Sequence, residues 1–380
     1  MNILVINSGS SSLKYQLFKM PVQTPVSSGL VERIGEKDSA VPNHRVALQQ
    51  VLLELSEGPH AVIKSTQDIN AVGHRVVHGG ELFSAAVIID EDVKNQIKKL
   101  FSLAPLHNPA NYTCIEVAEQ TFPDAIQIAV FDTAFHQSIP QKAYRYAIPE
   151  SYYNEHGIRV YGFHGTSHKY VSEQAALWLN KPHAKLITIH LGNGCSMAAV
   201  NAGKSVDTTM GFGPLSGLMM GSRSGDIDPS VIFHLMEHSG YTLNQLSTLL
   251  NSQSGLLGVG GSGDMRDIRK RVEAGDESAK LALELYAYRI KKFIGAYAAV
   301  LNGIDAIVFT AGVGENDAAM RSSVCRDLDY LNIVLDEDKN LQYKREIIEI
   351  NNEHSKVKVL IIPTNEEYEI ANQCYEMLNV

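Results

Sequence analysis

Short apolar runs broken by clusters of small residues set the rhythm of this chain. Asn2 to Ile6 reads as a strand and Asn7-Ser8-Gly9-Ser10-Ser11-Ser12 as a turn. The alternation Leu13-Lys14-Tyr15-Gln16-Leu17-Phe18 then supplies a second strand, so the segment predicts a β-hairpin. The same design returns downstream. Leu186-Ile187-Thr188-Ile189 leads into His190-Leu191-Gly192-Asn193-Gly194-Cys195-Ser196 and then Met197-Ala198-Ala199-Val200. A second pair also matches: Ile69 to Glu81 and Ile304 to Glu315 are each a short buried strand ending in a glycine loop. Hairpin followed by strand and glycine loop thus occurs once in each half, which predicts two related lobes.

Apolar positions recur with helical period over Asp90 to Leu103, Tyr112 to Gln120, Leu243 to Leu250, Ala279 to Asn302 and Glu366 to Leu378. Strands alternating with helices predict α/β sheets covered by helices. Asp38 to Pro42 and Arg145 to Gly157 read as loops. The expected division is an N-terminal lobe over 1–147, joined by a closing helix over 367–380, and a C-terminal lobe over 148–366.

Composition narrows the class. The 380 residues are 44% hydrophobic and 20% charged, the balance of a globular chain. A net charge of -9 offers no overall basic field for nucleic acid or an anionic membrane, so an anionic substrate needs locally placed Arg and Lys. The four cysteines, Cys114, Cys195, Cys325 and Cys374, form no C-x-x-C pair and read as reduced thiols. The first residues lack the basic flank of a signal peptide, and no uninterrupted apolar run reaches the roughly 18 residues of a spanning helix. A soluble cytoplasmic protein is the expectation.

Four glycine-rich segments carry the candidate chemistry: Asn7 to Ser12, His190 to Gly194, Gly258 to Arg266 and Gly312 to Asn316. Glycine lets backbone N–H groups approach phosphate oxygens. Gly258, Gly260 and Gly263 fit G-x-G-x-x-G, but a helical run precedes them where a dinucleotide fingerprint needs a strand. Gly203-Lys204-Ser205 resembles the tail of a P-loop. Ala198 stands where that motif needs glycine, and Asn201-Ala202-Gly203 reads as a hairpin turn. His164 and His168 have zincin-like spacing, but Gly165 replaces the required Glu, so the segment is read as a cap on the helical run Lys169 to Leu179. Arg75 and Arg223 lie in glycine-bounded loops, where a lone arginine reads as a surface salt bridge and two beside phosphate-type loops read as guanidinium forks for a carboxylate or phosphate. Asp132 follows the apolar strand Ile126 to Phe131, at the carboxyl end favoured by ligands in α/β sheets, and taken alone reads equally as a helix cap before Thr133.

Taken in order, these segments resemble the acetate kinase family. The resemblance rests on Asn7-Ser8-Gly9-Ser10-Ser11-Ser12-Leu13-Lys14, Gly73 to Glu81, Ala104-Pro105-Leu106-His107-Asn108-Pro109 and Phe131-Asp132-Thr133-Ala134-Phe135-His136. It continues through Tyr161 to His168, His190 to Gly194, Gly221 to Asp228, Gly312 to Asn316 and Pro363-Thr364-Asn365-Glu366-Glu367. It covers nearly the whole chain. It implies the sugar kinase, Hsp70 and actin superfold (ribonuclease H-like), two duplicated α/β lobes with the active site in the cleft between them. The implied reaction is reversible, Mg²⁺-dependent transfer from ATP to acetate, giving acetyl phosphate and ADP, with Mn²⁺ as a substitute metal and a homodimer as the usual assembly.

The resemblance also assigns residues. Asn7 and Glu366 match metal-holding positions. Lys14, the run His190, Leu191, Gly192, Asn193 and Gly194, the run Asp264, Met265 and Arg266, and the run Gly312, Val313, Gly314, Glu315 and Asn316 match nucleotide contacts. Arg75 matches the carboxylate-binding arginine. Val77, Leu106, Phe163 and Pro214 match the pocket around the substrate methyl group, and Asp132, His164 and Arg223 match catalytic positions. Acetate is already ionised near neutral pH, so Asp132 is expected to orient Arg223 or metal-bound water rather than to remove a proton. Gly213 precedes Pro214 where many relatives carry Thr, and the stretch from Pro21 to Arg45 is short. A propionate kinase of the same family, or a partner-driving ATPase of the superfold, are the alternative readings.

Overall fold

The computed structural model describes residues 1–9, 11–58, 61–342 and 346–379. Ser10 of the first small-residue turn therefore lies outside the described residues. The chain divides into two compact units, residues 1–137 with 365–380 and residues 138–364. Each holds a six-stranded sheet among the described residues.

In the first unit the strands are β1 (Asn2–Ser8), β2 (Ser12–Lys19), β3 (Ser27–Glu32), β4 (Ala71–Val76), β5 (Val87–Ile88) and β6 (Ile126–Phe131), in the order β3-β2-β1-β4-β6-β5. The predicted hairpin is β1–β2, paired antiparallel from Asn2↔Lys19 to Ser8↔Leu13. β1, β4 and β6 run parallel. The second unit has β7 (Lys185–Leu191), β8 (Cys195–Asn201), β9 (Lys204–Thr208), β10 (Ala306–Thr310), β11 (Ile348–Glu349) and β12 (Lys358–Ile361), in the order β11-β12-β10-β7-β8-β9. Here β7–β8 is the hairpin and β7, β10 and β12 are the parallel core. Strand for strand the two sheets follow one plan, and the α/β reading with two related lobes is borne out.

Both faces of the first sheet are covered, which is why its central strands are largely apolar. Leu4 and Ile6 of β1 pack with Ala47, Leu48 and Val51 of the helix His44–Ser56 and with Ala118 of the helix Asn108–Thr121. The alternate residues Ile3 and Val5 pack with Ile370, Ala371 and Cys374 of the closing helix Glu366–Leu378. Gly73 of β4 makes that second contact possible: a Cβ there would lie 2.9 Å from both Cys374 Sγ and Ile370 Cγ2. In the second unit the long helix Glu277–Leu301 packs on β7 and β8, and the helix Gly165–Trp178 packs on β7, β8 and β10.

Several local expectations change. The helix expected from Lys169 starts at Gly165, with His164 as its N-cap in the left-handed region at φ 56°. Arg145 to Gly157 is not all loop, because Ser151–His156 forms a short helix closed by left-handed Gly157. The segment Gly312 to Asn316 is helical, within Ala311–Asn316 directly after β10, and Gly255–Gly260 is helical as well. Composition marks a glycine as permissive, whereas burial against a neighbouring strand decides whether it coils. The turn at Ala202 and Gly203 is as expected, both at positive φ between β8 and β9.

Candidate active site

In the first unit, the carboxyl ends of the three parallel strands gather polar side chains. Arg75 is the fifth residue of β4, Asn7 lies near the end of β1, and Asp132 follows β6, its N–H donating to the Val76 carbonyl at 3.0 Å. Arg75 Nε donates to Asp132 Oδ1 at 2.9 Å, Nη2 donates to Asp132 Oδ2, and Nη1 donates to Asn7 Oδ1 at 3.1 Å. Asp132 is buried and Arg75 is partly exposed. Burial by itself lowers the Arg75 guanidinium, and the charges of Asp132, Glu366 and Glu367 outweigh it, so the arginine stays charged. Burial pushes Glu366 up to about 7, aided by Asp132 and Glu367 and opposed by Arg75 and Lys14. Lys14 itself pairs with Glu367 at 2.7 Å.

The loop after Arg75 is held from behind. Asn111 accepts from Val77 N at 3.1 Å and donates to Ser8 O at 2.6 Å, tying the β4 loop to the β1 loop. Asn108 accepts from His78 N and donates to His78 O. His74 and His78, which flank Arg75 in sequence, are buried and pushed down to about 4 by that burial, so they serve as neutral scaffold. Val77 is buried and Leu106 is 76% exposed.

In the second unit, a cavity of about 900 Å³ is lined by Gly192, Asn193, Gly221, Ser222, Asp264, Met265, Arg266, Gly312, Val313 and Asn316 among others. The starts of two helices border it, Met265–Glu273 behind its N-cap Asp264 and Ala318–Cys325 behind its N-cap Asp317. Their N–H-rich ends favour an anionic ligand. Arg269 makes a two-point ion pair with Asp317 in the wall, 2.7 Å from Nε and 2.5 Å from Nη2. Tyr286 also lines the wall, with its hydroxyl 3.0 Å from Cys195 Sγ.

Beside the loop that follows β7 stand His164 and Arg223. A Cβ added to Gly194 would lie 3.3 Å from His164 Nε2 and 3.6 Å from Arg223 Nη1, so both side chains face the same small space over that glycine. The His164 ring stacks on His190 with centroids 4.3 Å apart. Arg223 Nη1 donates to the Pro214 carbonyl at 3.0 Å. Its loop is folded tightly by glycine: Gly225 at φ +68° would place a Cβ 2.4 Å from Leu218 O.

The structure thus groups Arg75, Asp132, Asn7, Lys14 and Glu366 in the first unit, and His164, Arg223 and the nucleotide segments in the second. Phe163 is buried in the second unit and Pro214 is half-buried there. Of the predicted nucleotide contacts, Gly192, Asn193, Asp264, Met265, Arg266, Gly312, Val313 and Asn316 line the cavity. His190, Leu191, Gly194, Gly314 and Glu315 are not among its lining residues. Leu191 is core. Glu315 turns its carboxylate inward, accepting from Ala311 N at 2.8 Å and Thr364 N at 3.1 Å. Ser222, Arg269, Tyr286, Asn108 and Asn111 also take part in these walls and loops without being predicted site residues. Only Asn108 and Ser222 lay inside motifs visible in the sequence. The others are single residues on helices, where no local pattern separates a wall residue from a surface one.

Comparison with known proteins places the chain in a family. A profile described as the Acetokinase family matches residues 2–372. The acetate kinase of Flavobacterium johnsoniae is 54% identical, covering 100% of both chains. That of Carboxydothermus hydrogenoformans is 49% identical, covering 100% of this chain and 99% of its own. Among solved structures, Porphyromonas gingivalis acetate kinase superposes with a TM-score of 0.95 at 43% identity, covering 99% of each chain. A propionate kinase from Francisella tularensis subsp. tularensis gives 0.92 at 42% identity, covering 98% of each.

Proposed function

Because the chain belongs to the acetokinase family and is therefore a kinase that uses ATP, we propose that it transfers the terminal phosphoryl group of ATP to acetate, reversibly, giving acetyl phosphate and ADP. One observation carries the choice of acceptor. Arg75 has five N–H donors. Two go to Asp132 and one to Asn7. The remaining two sit one on each terminal nitrogen, the fork that matches the two oxygens of a small carboxylate.

The acceptor arrives ionised, since a free carboxyl titrates near 4. The chain's own work is then positioning and charge stabilisation. Arg75 fixes the plane of the acetate, Asp132 fixes the plane of Arg75, and Val77, Leu106, Phe163 and Pro214 are assigned to the methyl group. The cavity with Gly192, Asn193, Met265, Gly312 and Asn316 receives the nucleotide, and His164 and Arg223 neutralise charge on the phosphoryl oxygens. Asn7 and Glu366 offer the hard oxygen donors that Mg²⁺ or Mn²⁺ prefers, and such an ion would neutralise the charge of the transferring group. Lys14, paired with Glu367, is assigned to the nucleotide's phosphates. A cytoplasmic location follows from the substrates. A homodimer is supported by the helix Pro229–Ser239, which buries none of its residues and leaves Val231, Phe233 and Met236 exposed.

Propionate is the second reading, favoured by Gly213, whose added Cβ would meet nothing within 4 Å. One methylene is worth about 1–3 kcal/mol of discrimination, so the two acids are separable by kinetics. The test is hydroxamate detection of acyl phosphate with acetate, propionate and butyrate, against ATP, GTP and pyrophosphate as donors. The largest kcat/KM is expected for acetate with ATP. ATP hydrolysis that ignores added acid would overturn the reading.

A further inference from the structure

His164 enters this reaction with one ring nitrogen already engaged. Its Nδ1 lies 2.9 Å from Ser196 Oγ on β8, and the same oxygen lies 2.8 Å from His168 Nε2. His168 Nδ1 lies 2.7 Å from Thr188 Oγ1 on β7. Thr188 Oγ1 in turn donates to the Ala198 carbonyl at 3.4 Å. Ser196, His168 and Thr188 are all 0% exposed.

Each hydroxyl in this chain has one proton to give, and each neutral imidazole has one. The Thr188 proton is directed to Ala198, so Thr188 accepts from His168 Nδ1–H. His168 then presents an unprotonated Nε2, which takes the Ser196 proton. That leaves Ser196 Oγ as an acceptor toward His164, whose Nδ1 must carry the proton. A doubly protonated His168 would instead donate from Nε2 to Ser196 and turn the Ser196 proton toward His164 Nδ1, so this polarity requires a neutral His168.

Resting on the phosphoryl-transfer reading above, we propose that Ser196 is a positioning residue, and that its hydroxyl, oriented by His168 and Thr188, holds His164 as the Nδ1–H tautomer with its ring over Gly194. The tautomer matters because it decides what Nε2 offers. In the neutral ring that atom is a lone pair; in the imidazolium it is an N–H for a phosphoryl oxygen. The groups around it reinforce the placement. His190 stacks on the ring, and Arg223 faces the same space over Gly194. Neither contacts Ser196 in the hydrogen-bonded chain just described, so the relay is an independent support for the ring.

The test uses the full-length protein labelled with ¹⁵N-histidine, read by long-range ¹H–¹⁵N correlation at a pH where His164 is neutral. Wild type should show His164 protonated at Nδ1. Thr188→Val removes the terminal acceptor without touching His164. The His168 proton then shifts to Nε2, the Ser196 proton turns toward His164 Nδ1, and His164 should become the Nε2–H tautomer. A buried residue that merely fills space would not invert a ring two links away. Wild-type His164 protonated at Nε2, or an unchanged His164 pattern in Thr188→Val, overturns the relay. In kinetics, Ser196→Ala should lower kcat by about 3- to 10-fold, the size of one lost hydrogen bond, with both KM values unchanged. Unchanged kcat overturns the positioning role. Should wild type form no acyl phosphate at all, the functional reading fails, while the tautomer readout still decides the relay.

Discussion

Asp132 directs both carboxylate oxygens at Arg75, and this pairing shapes what each residue does in the proposed reaction. The acid has no substrate proton to remove, and its carboxylate pairs with the guanidinium that would hold the acceptor. Replacing Arg75 with Ala should raise KM for acetate strongly and leave KM for ATP nearly unchanged. Arg75→Lys should not rescue it, because a single ammonium cannot answer Asp132, Asn7 and a carboxylate with a planar fork. Asp132→Asn offers only one acceptor end, and turnover should fall about 100- to 1000-fold, as when one oriented charge contact is lost. Steady-state kinetics with each substrate varied checks both. An Arg75→Ala enzyme impaired for ATP alone would remove the carboxylate assignment.

The elements that matter here are the glycine-bounded segments, and the structure separates their roles. Gly194 leaves room for His164 and Arg223: a methyl group there would stand 3.3 Å from the histidine ring. Gly194→Ala should therefore lower kcat by about tenfold through misplacement of these groups, with the unfolding midpoint unchanged. Gly73 serves packing. A Cβ there meets Cys374 Sγ and Ile370 Cγ2 at 2.9 Å, so Gly73→Ala must shift the side chains that the closing helix packs on β4. It should cost about 1–3 kcal/mol in urea unfolding, as overpacked cores do. The closing helix also carries Glu366 at its first position, so the same variant should weaken activity through a part of the chain distant in sequence.

Across the whole molecule, two sheets of one plan each carry a parallel core, β1, β4 and β6 in one unit and β7, β10 and β12 in the other. No helix among the described residues is long and apolar enough to cross a membrane. Stability also responds to pH through groups outside the site. Burial pushes Asp207 on β9 up to about 6, against an accepting bond from Thr208 N that pulls it down. Its folded form holds a proton that the unfolded chain releases near 3.8, so its contribution falls as pH rises from about 4 to 6 and stays reduced above that. Asp207→Asn cannot ionise, and its stability relative to wild type should be greater at pH 8 than at pH 4.5. Denaturant titrations at the two values check this. A difference of the opposite sign would mean that the carboxylate is stabilised in the fold.

Periodicity and composition alone were enough to read both hairpins, the repeated order of elements, the closing helix and the α/β class, because these depend on local alternation and on apolar runs that must be buried. The motif segments also named most of the cavity wall, since glycine and helix-capping residues have local signatures. Which glycines would coil into helix, that Asp132 would pair with Arg75 across 57 positions, and that Ser196 would stand between two histidines were not legible. Those outcomes depend on strand register and on which faces meet across sheets. A side chain's partner is set by the tertiary position of distant strands, and no local pattern encodes that.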